Sequence, residues 1–260
     1  MSAIQAIILG VIQGIAEFFP ISSSAHLKIL KSLLSIHLPE NFVLFDLTCH
    51  LGTTFATILF LRKDLLDIFT KQRKTIFLIA LAILPLFPMY FLGKNIREYL
   101  SNIHILGLFL IITSILLFIT SALQDKPSSP VTKKSIKDFI FIGFMQSLAL
   151  IPGFSRCGST VSGACYRGWS IKQAISFSFI LSIPTILGGN FLEIMKLFFK
   201  KNTNFPNIPL HSYFLGFITS FIVGLLALRL IFSITINKKI RPFAWYCLTL
   251  GIFALIYYNI

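Results

Sequence analysis

Apolar residues run along this chain in long blocks separated by short polar and basic segments. Crossing a bilayer's hydrocarbon core takes about 20 apolar residues in a helix. Six stretches come near that length: 42 to 62, 76 to 93, 104 to 122, 171 to 198, 212 to 236 and 242 to 260. Each predicts a transmembrane helix. Two further apolar regions, 3 to 36 and 139 to 167, are interrupted midway by proline and serine, at Pro20 to Ser24 and at Pro152 to Ser155. Each predicts a helix, a break and a second helix. The halves run about 12 to 17 residues, roughly 18–25 Å, which is short of the roughly 30 Å core. They therefore read as re-entrant hairpins. Broken backbone at membrane depth persists only where protein or a polar cavity satisfies its freed N–H and C=O groups, so each break marks a candidate site.

The two breaks resemble each other. Gly10-Val-Ile-Gln13 with Pro20-Ile-Ser-Ser23 recurs as Gly143-Phe-Met-Gln146 with Pro152-Gly-Phe-Ser155, one residue out of register between the two parts. One hairpin followed by three spans makes up each copy, about 1 to 122 and about 137 to 260, and an odd number of spans makes the copies inverted. The expected architecture is an all-α integral membrane protein in a single membrane domain, 1 to 260, with six transmembrane helices and two re-entrant hairpins in an inverted-topology repeat. Loops 62 to 74, 123 to 138 and 237 to 241 fall on one side and carry Arg62, Lys63, Lys71, Arg73, Lys74, Lys126, Lys133, Lys134, Lys137, Lys238, Lys239 and Arg241. The opposite side carries chiefly Lys94, Arg97, Lys200 and Lys201. The positive-inside rule makes the first side cytoplasmic and places both termini outside the cytoplasm.

Composition agrees with that parse. The chain is 55% hydrophobic and 12% charged, with mean hydropathy +0.83, far more apolar than soluble domains, which are roughly 45–50% apolar and 25% charged. The net charge of +14 sits in short loops, without a basic stripe or recognition motif, so it reflects topology and not nucleic-acid binding. Cys49, Cys157, Cys165 and Cys247 lie inside apolar stretches and lack the paired spacings of disulfide or zinc frameworks. They read as small packing residues. The N-terminal run has no basic leader and carries Gln13 and Glu17, so it reads as a half-helix and not as a removable signal peptide.

Chemistry concentrates at the breaks. Gln13 and Glu17 are four apart and share one helical face just before Pro20. Glutamate has too short a stem to reach the membrane surface, so a carboxylate there marks a functional site or a structural hydrogen bond. After the break, Ser22, Ser23 and Ser24 open the second half-helix, where a serine cap and unpaired N–H groups either terminate the helix alone or make an anion site. His26 lies on the face of Ser22 and Ser23, placed to accept a proton or steady an oxygen. In the second break, Gly153 and Ser155 precede Arg156, whose five donors suit phosphate oxygens, and Gly158 and Gly163 allow close backbone approach. At that depth Arg156 needs an anionic partner, either Glu17 or a bound phosphate. Asp46 and His50, four apart on the next helix, line the same cavity or bond each other. Arg229 and Glu193 lie nearer the ends of their spans, where snorkelling accounts for them.

These residues resemble a known family, the undecaprenyl pyrophosphate phosphatases that confer bacitracin resistance. Gln13 to His26, QGIAEFFPISSSAH, is similar to the family's first motif, and Gly143 to Thr160, GFMQSLALIPGFSRCGST, to its second. The order of the remaining helices is similar along the entire chain. The resemblance implies a hydrolase of the bacterial cytoplasmic (inner) membrane that recycles the lipid carrier of cell-wall synthesis. It implies Glu17, Ser23, His26 and Arg156 as the catalytic or phosphate-binding set, with Gln13 at the position that opens the first motif; the reading of the residues themselves places Gln13, Ser22, Ser24, Asp46, His50, Gly153, Ser155 and Thr160 around the substrate. The expected partner is a polyprenyl pyrophosphate lipid, with no nucleic acid, and a homodimer is an open possibility. Two departures matter. Gln13 cannot ionise where many members have a glutamate, and Cys157 replaces a common serine. The first weakens any two-carboxylate metal site. A divalent cation, Mg²⁺ or Ca²⁺, bridging phosphate oxygens to Glu17, with or without Asp46, is still chemically reasonable, since hard cations favour oxygen ligands.

Two rival classes frame that expectation. The other large superfamily of membrane lipid phosphatases needs a histidine–aspartate motif after its serine–arginine pair, and none follows Arg156. A transporter or flippase for an anionic lipid shares the inverted repeats and broken helices, so fold alone does not separate it from an enzyme.

Overall fold

The computed structural model describes residues 1–34, 36, 43–93, 96, 99–123, 135–199, 208–236 and 240–260, and every regular element among them is helical. Helix α1 (Ala3–Ala16) starts at a capping box in which the Ser2 side chain accepts from the Gln5 backbone and the Gln5 side chain accepts from that of Ser2. It stops at Glu17, because Pro20 lacks an N–H and pushes the residue before it out of helical geometry. Helix α2 (Ser23–Leu33) follows, with Ser22 as its N-cap. The pattern repeats in α8 (Ile136–Leu148), capped by Ser135 and Asp138, and α9 (Arg156–Tyr166), capped by Ser155. The four helices hold 14, 11, 13 and 11 residues, about 16–21 Å each and short of a bilayer core.

The other elements are α3 (Val43–Phe60), α4 (Arg62–Thr70), α5 (Arg73–Ile83), α6 (Leu86–Leu92), α7 (Ile103–Leu123), α10 (Ile171–Phe199), α11 (Leu210–Ile236) and α12 (Arg241–Asn259). By length and hydropathy, Arg73–Phe91, Ile103–Leu123, Ile171–Lys196 and Leu210–Ile234 qualify as membrane crossings; the pair Leu44–Phe60 and Arg62–Thr70, bent by 70°, makes a fifth if counted as one span. This is a multi-pass helical membrane protein. Two expected spans differ in detail. The 42 to 62 stretch ends at Leu61, where Arg62, Lys63 and Asp64 turn the chain into α4. The 76 to 93 stretch begins at Arg73 and is interrupted at Leu84 and Pro85, since proline cannot continue the helical ladder. The expected last span, 242 to 260, folds as α12, which is not among the helices that qualify by length and hydropathy; near its ends it carries Trp245–Tyr246 and Tyr257–Tyr258, residue types of the membrane interface. Of the loop cations, Lys94, Arg97, Lys126, Lys133, Lys134, Lys200, Lys201, Lys238 and Lys239 lie outside the described residues.

Packing pairs the elements in a regular way. Helix α1 lies along α11, and α8 lies along α5. The glycines Gly10 and Gly143, equivalent in the sequence repeat, make both contacts: a Cβ on Gly10 would sit 2.9 Å from the Gly216 carbonyl oxygen, and one on Gly143 would overlap the Ala82 carbonyl oxygen. Helix α3 meets α10, and α7 meets α12. The largest core, around Phe18, Phe139, Phe179, Leu181, Leu228 and Ile231, lies behind the two breaks and fixes their depth. Outward, Leu108, Ile115 and Ile119 on α7 and Ile222, Leu226 and Leu230 on α11 are exposed. Apolar ridges of that extent call for lipid, not water.

Candidate functional site

The two breaks meet at a buried ion pair. Glu17, 7% exposed, accepts from Arg156 Nη2 at 2.6 Å through Oε1. Its Oε2 accepts from Ser23 Oγ at 2.9 Å and from Gln13 Nε2 at 3.0 Å. Gln13 Nε2 also lies 2.9 Å from His50 Nδ1, which stands 3.5 Å from Glu17 Oε2. Helical spacing accounts for the Gln13–Glu17 contact, one turn apart on α1. Arg156 comes 139 residues later, brought in because it is the first residue of α9. Two charges taken out of water need each other, and removing either leaves the other uncompensated.

Arg156 is braced as well as paired. Its Nη1 donates to the Ser178 carbonyl on α10 at 3.2 Å. Thr160 Oγ1, one turn along α9, lies 2.8 Å from the Arg156 carbonyl and 2.6 Å from Ser178 Oγ. Ser155 caps α9 by accepting from Gly158 N at 3.0 Å. The turn before it needs Gly153 at φ +103°, a left-handed region that L side chains rarely adopt. Thr113 on α7 donates to the Gly153 carbonyl at 3.2 Å and accepts from Ser155 N at 3.3 Å, fixing that turn. In the first break the left-handed position falls on Ser22, with φ +70°. Its Oγ accepts from Ala25 N at 3.4 Å and lies 3.2 Å from Ser24 Oγ. Both helix starts keep first-turn N–H groups without intrahelical partners, which favours an anion between them.

A cavity of about 250 Å³ opens beside the pair, lined by Glu17, Ser23, Ser24 and His50 on one side and Ser155, Arg156, Thr185 and Asn190 on the other. Thus Glu17, Ser23, Ser24, His50, Ser155 and Arg156 share one cavity. Gln13, Ser22, Gly153 and Thr160 stand directly behind its walls. Asp46 and His26 are placed elsewhere. Both Asp46 carboxylate oxygens accept from Lys31 Nζ, at 2.6 and 2.7 Å, so Asp46 neither bonds His50 nor lines the cavity. His26 Nδ1 donates to the Ser22 carbonyl at 2.7 Å, which leaves Nε2 to accept from Tyr246 OH on α12 at 2.7 Å. Its ring therefore faces α12 and not the cavity. No cluster of three or more histidine, cysteine, aspartate or glutamate side chains occurs among the described residues.

Sequence reasoning missed Thr113, Ser178, Thr185, Asn190 and Tyr246. Of these, Asn190 carried a signal, as a polar residue after Gly188 and Gly189 within an apolar helix. The others are ordinary span residues whose role comes only from their neighbours.

Fold and site together define a class: a polytopic helical membrane protein with a buried carboxylate–guanidinium pair between two broken, serine-capped helix pairs. Residues 6–253 match the family model described as bacitracin resistance protein BacA. The chain belongs to that family. It is 38% identical to the undecaprenyl-diphosphatase of Protochlamydia amoebophila over the full length of both chains. It is 34% identical to that of Carboxydothermus hydrogenoformans, over 98% of this chain and 97% of the relative. With the undecaprenyl-diphosphatase of Methanococcus vannielii it shares 30% identity, over 97% of this chain and 99% of the relative.

Proposed function

We propose that this protein hydrolyses undecaprenyl pyrophosphate to undecaprenyl phosphate and inorganic phosphate, recycling the carrier lipid of cell-wall synthesis and conferring bacitracin resistance. The observation that carries the proposal is the buried Glu17–Arg156 pair at 2.6 Å with Ser23 on the same carboxylate, in a family whose full-length relatives are named for that hydrolysis. Phosphoryl transfer asks a protein for positioning and charge stabilisation. Arg156 and the two capped helix starts hold the pyrophosphate oxygens. Glu17 gives up Arg156 to the arriving phosphate, keeps its bond to Ser23, and takes the hydroxyl proton while Ser23, or a water in its place, attacks the terminal phosphorus. The bond to the bridging oxygen breaks, and undecaprenyl phosphate departs. After attack by Ser23, a water then hydrolyses the serine phosphate ester, releasing inorganic phosphate and returning a proton to Ser23, whereas direct attack by water yields inorganic phosphate in one step. His26, held between the Ser22 carbonyl and Tyr246, acts from outside the cavity as a positioning residue for the Ser22–Ser23 turn. A divalent cation would take Glu17 as its one protein carboxylate and complete its shell with phosphate oxygens and water, as Mg²⁺ ordinarily does. Loss of phosphate release in chelator supports that cation; full activity in chelator discards it.

The topology belongs to the same proposal: six spans and two re-entrant hairpins, in inverted repeats. Its support is the reciprocal pairing, with α1 on α11 and α8 on α5, through repeat-equivalent glycines. In the second hairpin, Arg167 Nε donates to Asp138 Oδ1 at 2.6 Å, tying the end of α9 to the start of α8 on one face. The basic loops then face the cytoplasm, and both termini and the mouth of the site face outward. Purified protein in detergent, with no gradient, should release phosphate from undecaprenyl pyrophosphate. Absence of release across divalent ions, together with lipid movement in vesicles, would instead make it a transporter.

A further inference from the structure

A second and larger cavity, about 1030 Å³, lies at the basic end of the bundle between the α4–α5 turn and the start of α10. It is separate from the Glu17 site. Along α10 it is lined from Lys172 to Ile180 and the other cavity from Thr185 to Asn190, so the two share no lining residue, and the charged rim at Lys172 lies 13 positions before Thr185, about 20 Å along the helix. The floor is apolar, with Trp169 set against Phe139 and Phe177 at ring-centroid distances of 5.4 and 5.3 Å. The rim is charged. Arg73 and Lys74 open α5, and Lys172 sits in the first turn of α10; all three are exposed, and among the described residues none has an acidic partner. Lys71 is held by Asp67 at 2.7 Å, and Asp64 completes the rim. Three open cations above aromatic rings match an amphiphile with an anionic head and an apolar body. Soluble phosphate would leave the floor wet.

We propose that this hollow binds the phosphodiester headgroup of an anionic membrane phospholipid, with Arg73, Lys74 and Lys172 on the phosphate and the first chain carbons over Trp169 and Phe177. Basic pockets between spans recognise anionic headgroups in this way. The outer faces of the surrounding helices, with Phe69, Ile76 and Phe77 exposed, give a lipid direct access from the bilayer. Asp64 and Asp67 on the same rim favour a monoanionic diester over a dianionic monoester, because each added charge meets their repulsion.

The chain has two tryptophans, so the full-length Trp245→Phe protein in lipid nanodiscs leaves Trp169 as the single tryptophan, read by excitation that tyrosine does not absorb. Brominated phosphatidylglycerol is expected to quench Trp169 at a several-fold lower mole fraction than brominated phosphatidylcholine. The preference should vanish when Arg73, Lys74 and Lys172 are all changed to Gln, with an unchanged thermal unfolding midpoint in detergent as the folding control. Equal quenching by the two lipids, or a preference that survives the triple substitution, overturns the proposal. So does relief of quenching by unbrominated undecaprenyl phosphate at a lower mole fraction than by unbrominated phosphatidylglycerol, which would assign the hollow to the product lipid. These readouts do not depend on the hydrolytic reading of the Glu17 site.

Discussion

The two breaks use one scaffold for opposite charges. Each has a capped half-helix, a proline, a left-handed residue near it and a serine that caps the next half-helix. The first contributes a carboxylate and the hydroxyl that donates to it, Glu17 and Ser23; the second contributes a guanidinium, Arg156. They also place backbone strain differently. The second break assigns its left-handed position to Gly153, whereas the first imposes one on Ser22, a residue that carries a Cβ. Non-glycine residues in that region persist only where surroundings over-determine them, and they gather at functional sites. The proposed function assigns the chemistry to the first break and the holding of the anion to the second.

The strongest way to break that division is to remove Arg156. Arg156→Ala should lower phosphate release by about 10³-fold or more, through lost charge stabilisation. Arg156→Lys should recover only part, because a point charge cannot replace the planar fork. Stability sharpens the same comparison. Either Arg156→Ala or Glu17→Ala leaves a buried charge unpaired and should cost about 3–5 kcal/mol, read by thermal unfolding in detergent. Glu17→Gln with Arg156→Gln together should cost less than either alanine change while remaining inactive. Gly153→Ala should destabilise by about 1–3 kcal/mol, since the residue keeps φ +103° and its Cβ would lie 2.6 Å from that of Phe109. Ser22→Gly should relieve strain and leave stability unchanged or slightly raised. The smallest expected effect is Tyr246→Phe, which frees His26 Nε2 and should change activity by less than about tenfold, with a shifted pH profile.

Much of this was legible in the sequence. Proline beside serine locates both breaks because their backbone chemistry is local, and Gln13 and Glu17 share a face because helical spacing fixes it. What the spacing could not show depends on distant partners. Asp46 is diverted by Lys31, which reaches it from α2, although Asp46 and His50 share a helix. His26 is turned toward Tyr246, 220 residues away. The interruption at Pro85 was readable, since a proline sat inside the expected span, but apolar length outweighed it. Thr185 and Asn190 enter the cavity only because α10 crosses α3.

The central claim is that one site forms where the two breaks meet. A double-mutant cycle on phosphate release from undecaprenyl pyrophosphate tests it most directly, comparing wild type, Glu17→Gln, Arg156→Ala and the double variant. Residues that act as a unit are strongly non-additive. The double variant should be no slower than the slower single variant. Multiplied losses, or full activity in either single variant, would contradict a shared site.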